Sequence, residues 1–130
     1  MKKWISLTLL VFALISATAS VIEIFDEIAA GIKSGDVKML SRNFNSSIDL
    51  TIGTAENTYS KAQAEQVLRD FFTANKPTGF TIVHQGLSKE GAKYAIGTMT
   101  TAQGGNYRVY LYVKQVGNSY QINELRFMQE

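Results

Sequence analysis

Residues Tyr59–Pro77, YSKAQAEQVLRDFFTANKP, decide how this chain can fold. Ser60 stands three residues before Gln63, the spacing of a capping box, in which each side chain satisfies a backbone amide left open by the first helical turn. Ala64, Val67, Leu68, Phe71 and Phe72 then recur at helical spacing and share one face. Pro77 ends the run, because it has no amide proton and pushes Lys76 out of the helical region. The spacing predicts one amphipathic helix. The strand-like segments that follow it need such a face to bury themselves against.

Upstream, Gly53 to Asn57 reads as a turn leading into this helix, and Ile48-Asp49-Leu50-Thr51-Ile52 alternates as a half-buried strand should. Val21, Ile24, Phe25, Ile28, Ala29 and Ile32 describe an earlier helix with Ser34-Gly35 as its stop. Asp36 is placed to cap a second, shorter helix carrying Val37 and Leu40 and reaching as far as Phe44. Downstream come four strand segments: Phe80 to Leu87, Tyr94 to Thr101, Tyr107 to Lys114 and Tyr120 to Phe127. Lys89-Glu90-Gly91, Gly104-Gly105-Asn106 and Gly117-Asn118-Ser119 carry hairpin-type turn residues between them. Such short connections imply sequential antiparallel strands, a meander. Helices and strands kept apart in this way indicate an α+β domain.

The first 19 residues are expected to be a leader. Lys2 and Lys3 form a basic start, Trp4 to Ile15 an apolar stretch shorter than the ~20 residues of a spanning helix, and Ala17-Thr18-Ala19 a small-x-small cleavage site. Residues 20–130 then form a single domain, periplasmic or extracellular, with no membrane anchor after cleavage. Of 13 Lys and Arg, Lys2 and Lys3 leave with the leader; 11 then face 11 Asp and Glu, so the remainder is formally neutral and offers nothing to nucleic acid. The chain has no cysteine, which removes disulfides, thiolate metal sites and cysteine nucleophiles. With one histidine, a histidine-based zinc site is not expected, and no metal or other cofactor is called for.

The order of elements, the Lys33-Ser34-Gly35-Asp36 junction and the long hairpins resemble the nuclear transport factor 2-like fold, also called cystatin-like. That resemblance implies a curved antiparallel sheet packed on three helices as an open cone. The fold includes ketosteroid isomerases and scytalone dehydratase. More narrowly, YSKAQAEQVLRDFF, FTIVHQG, YAIGTMTT, GGNYRVYLYV and INELRF look like a bacterial family of small exported proteins known as a domain of unknown function. Fold likeness does not choose among enzyme, binding protein and dimerisation module.

The candidate sites divide three ways. His84, sharing a face with Phe80 and Ile82 if its strand is straight, has the chemistry of a general base, with Tyr94 or Glu124 as partner; without a matched second group it reads as a histidine at the edge of the core. An isomerase-like mechanism also wants a carboxylate inside the cone, but Asp49 points away from Ile48, Leu50 and Ile52, and the isomerase's carboxylate falls nearer Ile52. Phe71 and Phe72 are either pocket walls or, as their spacing with Leu68 favours, core. Glu124 and Arg126, expected on one face with Ile122, could bind a polar group or form a surface ion pair. On the strand from Tyr107, the residues Arg108, Tyr110, Tyr112 and Lys114 form a mixed aromatic and cationic face opposite Val109, Leu111 and Val113. The resemblance implies that this outer face is a dimer surface; a solvated sheet face with cross-strand tyrosine pairs is the equal alternative.

The leading expectation is therefore a non-catalytic exported domain that holds a small apolar or amphipathic molecule in its cone, or a protein partner on its sheet. The alternatives are an isomerase-, dehydratase- or hydrolase-like enzyme using His84, and a purely structural homodimer.

Overall fold

The computed structural model describes residues 19–88 and 91–130, with side chains from residue 24 onward. The expected leader, apart from Ala19, and Lys89-Glu90 of the first hairpin connection lie outside the described residues. Three helices, α1 (Ala19–Ser34), α2 (Val37–Ser41) and α3 (Lys61–Ala74), cover one face of a six-stranded sheet: β1 (Phe44–Ile52), β2 (Ala55–Ser60), β3 (Pro77–Leu87), β4 (Lys93–Thr101), β5 (Asn106–Val116) and β6 (Ser119–Gln129). The spatial order is β2-β1-β6-β5-β4-β3. The last four strands form the antiparallel meander, whereas β1 runs parallel to β6 and departs from the all-antiparallel sheet expected.

Local chemistry sets the helix boundaries. Gly35, at φ 67°, ends α1: its amide donates to Ile32 O at 3.1 Å and that of Asp36 to Gly31 O at 2.9 Å, which satisfies two terminal carbonyls. The Asp36 carboxylate accepts from Met39 N at 3.1 Å and starts α2. At α3 the capping box closes in both directions, Gln63 N donating to Ser60 Oγ at 3.3 Å and Ser60 N to Gln63 Oε1 at 3.1 Å.

Two boundaries differ from expectation. Phe44 opens β1 instead of ending α2, because it is almost fully buried in the sheet. The segment read as a turn into α3 contains β2, whose hairpin with β1 pairs Ile52 with Ala55 around Gly53-Thr54. Gly53 takes φ 63°, the geometry a two-residue hairpin asks of its first loop position. β2 is an edge strand and almost wholly exposed, so AENTYS carries no apolar alternation to betray it.

The core lies between α3, α1 and the inner sheet face. Leu68, Met99, Val109, Leu111, Ile122, Leu125 and Phe127 are fully buried there. Phe71 packs its ring at 4.9 Å from Phe127 and edge-on at 5.3 Å from Tyr107, while Phe72 meets Phe127 edge-on at 5.8 Å. These side chains belong to one buried apolar cluster between the helices and the sheet.

Candidate functional site

Two bulges decide which side chains reach the outer sheet face. On β3, Ile82 pairs with Gly97 but His84 pairs with Ile96, so Val83 is an extra residue, 60% exposed. The strand is not straight, and because side chains alternate, one extra residue turns His84 away from Phe80 and Ile82. On β6, Val113 pairs with Ile122 and Tyr112 with Glu124, leaving Asn123 as the extra residue. Ile122 therefore stays in the core while Glu124 and Arg126 turn outward, separating residues expected on one face.

The outer face thus gathers His84 from β3, Tyr94 from β4, Arg108, Tyr110 and Tyr112 from β5, and Glu124, Arg126 and Met128 from β6. Cross-strand register sets Arg108 opposite Met128, Tyr110 opposite Arg126 and Tyr112 opposite Glu124. These six, with Gln129 and Glu130, line a groove of about 640 Å³. That volume is within the range of small-molecule sites.

The charges in the groove are arranged in pairs. Arg126 Nε donates to Glu124 Oε1 at 2.5 Å, with Glu56 Oε1 3.9 Å from its Nη2. The hydrogen bond to Glu124 and the charge on that carboxylate hold the Arg126 guanidinium above its ordinary pKa. Arg108 Nε donates to Glu130 Oε1 at 3.1 Å. Both guanidinium groups are thereby anchored through Nε. A guanidinium carries five N–H donors, so further donors remain on each. Tyr112 is braced from the other side: its ring packs against Tyr94 at 6.0 Å, and Tyr94 Oη shares a 3.1 Å hydrogen bond with His84 Nε2.

The expected site residues are distributed as follows. Glu124, Arg126, Arg108, Tyr110 and Tyr112 come together in the groove. His84 and Tyr94 stand beside it on the same outer face, and neither hydrogen-bonds a carboxylate among the described residues. Phe71 and Phe72, 8% and 6% exposed, lie in the core on the opposite side of the sheet. Asp49 accepts a 2.6 Å hydrogen bond from Thr58 Oγ1 on the neighbouring strand. No group of three or more His, Cys, Asp or Glu able to hold a metal ion occurs among the described residues. No described helix is long and apolar enough to cross a membrane. Sequence reasoning missed Met128, Gln129 and Glu130. Alternation along β6 alone places Met128 beside Arg126, and the bulge at Asn123 turns both to the outer face.

The comparisons agree with this architecture. A protein from Bacteroides fragilis YCH46, described as a DUF4783 family protein, is 32% identical, with 80% of this chain and 96% of that one covered and a TM-score of 0.74. An NTF2-like protein of unknown function from Silicibacter pomeroyi DSS-3 superposes with TM-score 0.63 at 15% identity, covering 86% and 94% of the two chains. A protein of unknown function with a cystatin-like fold from Nostoc punctiforme gives TM-score 0.66 at 10% identity, covering 86% and 90%. These last two establish likeness of fold alone: a nuclear transport factor 2-like α+β domain with a curved sheet. No curated protein gives a match. Matching over residues 25–128, the chain belongs to the family described as domain of unknown function DUF4783.

Proposed function

We propose that the protein is an exported, non-catalytic binding domain whose working surface is the groove on the outer sheet face, where it holds a small amphipathic molecule. One observation carries this reading. Between helices and sheet the apolar side chains pack into one buried cluster, whereas the outer face offers a concavity of about 640 Å³ with tyrosines beside paired charged groups. A few convergent polar groups around an apolar floor are the usual composition of a ligand site. Export is supported by the Lys2-Lys3 start, the apolar stretch after it and the Ala17-Thr18-Ala19 site.

Native mass spectrometry of protein purified gently from its own envelope tests both parts. The expected spectrum has a mature N-terminus at Ser20 and an added mass that disappears on denaturation and is absent from a Tyr110→Ala/Arg126→Ala variant. A chain beginning at Met1 would refute export. An added mass retained by the variant would refute the groove.

A homodimer through the same face is the second reading. Tyrosine, arginine and methionine are enriched at protein interfaces, and here Tyr110, Tyr112, Arg108, Arg126 and Met128, the last 39% exposed, lie on one uncovered face. A dimer mass in the same spectrum, lost in Tyr110→Glu/Tyr112→Glu, would select it.

A further inference from the structure

We infer that the ligand of the outer groove is a neutral polyhydroxylated ring, the chemistry of a carbohydrate; this inference rests on the binding reading above. The argument starts from charge. The groove is lined by two arginines and two glutamates, each arginine paired with one glutamate, and Glu56 Oε1 lies 3.9 Å from Arg126 Nη2, so no lining charge is left without a counter-charge. A simple anion would meet Glu124 and Glu130 as well as the guanidinium groups, and a simple cation would meet Arg108 and Arg126. Neither sign is favoured.

The pairing then separates a zwitterion from a neutral polar ligand. To seat a ligand carboxylate and ammonium fully, Arg126 and Glu124 would have to give up part of a 2.5 Å charge-assisted hydrogen bond, and Arg108 and Glu130 one of 3.1 Å. A hydroxyl needs no such exchange, since it donates one hydrogen bond and accepts others. Its oxygen can accept from a guanidinium Nη while its proton goes to a carboxylate oxygen of the same pair. Two neighbouring hydroxyls on a ring could use an Arg–Glu pair in this way with the pair left intact. Arg126–Glu124 and Arg108–Glu130 provide two such stations in one groove.

The floor supplies the apolar half of the recognition. A sugar ring has a C–H face as well as an equatorial rim of hydroxyls, and an aromatic ring is the flat apolar partner for that face. Tyr110 and Tyr112 lie on β5 directly across from Arg126 and Glu124, so apolar and polar contacts fall side by side. Tyrosine adds this area at low conformational cost, and the His84–Tyr94–Tyr112 contacts hold one of the two rings in place. Tyr94 and His84 are thus positioning residues.

The test is titration of the purified protein, followed by amide NMR, with hexasaccharides of glucose, mannose, xylose and N-acetylglucosamine. A heparin-derived hexasaccharide and the dipeptide Ala-Ala serve as anionic and zwitterionic probes. At least one neutral hexasaccharide should give saturable shifts centred on residues 108–112 and 124–128. Tyr110→Ala should raise its Kd about tenfold or more, and Glu124→Gln, which keeps shape but loses charge, should weaken it as well. The variants' spectra away from the groove should match wild type.

Groove shifts produced by heparin or Ala-Ala and by no neutral sugar would overturn the carbohydrate assignment while leaving the binding reading standing. No response to any sugar, together with a native added mass that depends on Tyr110 and Arg126, would do the same. No response to any sugar with no such added mass would remove both.

Discussion

Truncating Phe71 to alanine separates a core residue from a pocket wall. The ring lies 4.9 Å from Phe127, 5.6 Å from Phe72 and, edge-on, 5.3 Å from Tyr107. With 8% exposure and neighbours fixed by a helix and two central strands, the site has little freedom to collapse. The substitution should cost about 3–5 kcal/mol from lost transfer energy and the cavity left behind. Against a total stability of roughly 5–15 kcal/mol that is a large share, equivalent to about 10–25 °C in Tm. Phe71→Leu keeps most of the volume and loses the ring geometry, so its cost should be nearer ~1–2 kcal/mol. Urea denaturation followed by circular dichroism measures both, with m-values checked for constancy. A Phe71→Ala protein within about 0.5 kcal/mol of wild type would refute the core assignment, because only a residue with open space beside it tolerates that loss. Equal costs for leucine and alanine would refute the argument from volume.

Three further outcomes follow from local geometry. A Cβ on Gly86 would lie 2.5 Å from Tyr94 Oη and 2.6 Å from Cζ, so Gly86→Ala should swing that ring away from His84. Loss of the His84–Tyr94 contact in NOE spectra, at a stability cost of about 1–3 kcal/mol, is expected; an unchanged contact counts against the packing described. Ser60→Ala should cost about 1 kcal/mol by opening the capping box of α3, read from the urea midpoint, and no change would mean that the box contributes nothing. The hydrogen bond from Arg69, and then that from Lys38, holds the Glu65 carboxyl below its ordinary pKa. A folded pKa below the unfolded one stabilises the fold above the ordinary carboxylate range, and this contribution fades as pH falls through the folded value. Glu65→Gln should therefore narrow the difference in urea midpoint between pH 7 and pH 3. An unchanged difference would show that the Glu65 pairs do not couple to folding.

The elements most legible in the sequence are those whose determinants are local. Ser60 and Gln63 bracket a helical turn, Gly35 follows a helix as the residue that tolerates φ 67°, and Pro77 cannot continue one. Ala64, Leu68, Phe71 and Phe72 repeat at the period of the helix they occupy, and Val109, Leu111 and Val113 at the period of their strand. Such signals require no knowledge of what lies across the fold. The family and the α+β class were legible for the same reason, together with the resemblance of whole segments.

The tertiary structure decided where the polar side chains face. Alternation along a strand predicts the side of each residue only while the register holds, and one extra residue reverses every position beyond it. Val83 and Asn123 do this on β3 and β6, moving His84, Glu124 and Arg126 to the outer face. Neither bulge is marked by a glycine or proline at the extra position, so the chain carried no local sign of it. β2 was hidden for a related reason: an edge strand exposed on both faces needs no apolar pattern, and only its pairing with β1 identifies it. Apolar periodicity and the helix boundaries other than the end of α2 were written in neighbouring residues. The β5 side of the groove, Arg108, Tyr110 and Tyr112, was written there too; its β6 side was not, because that depends on register between strands that meet only after the chain has folded.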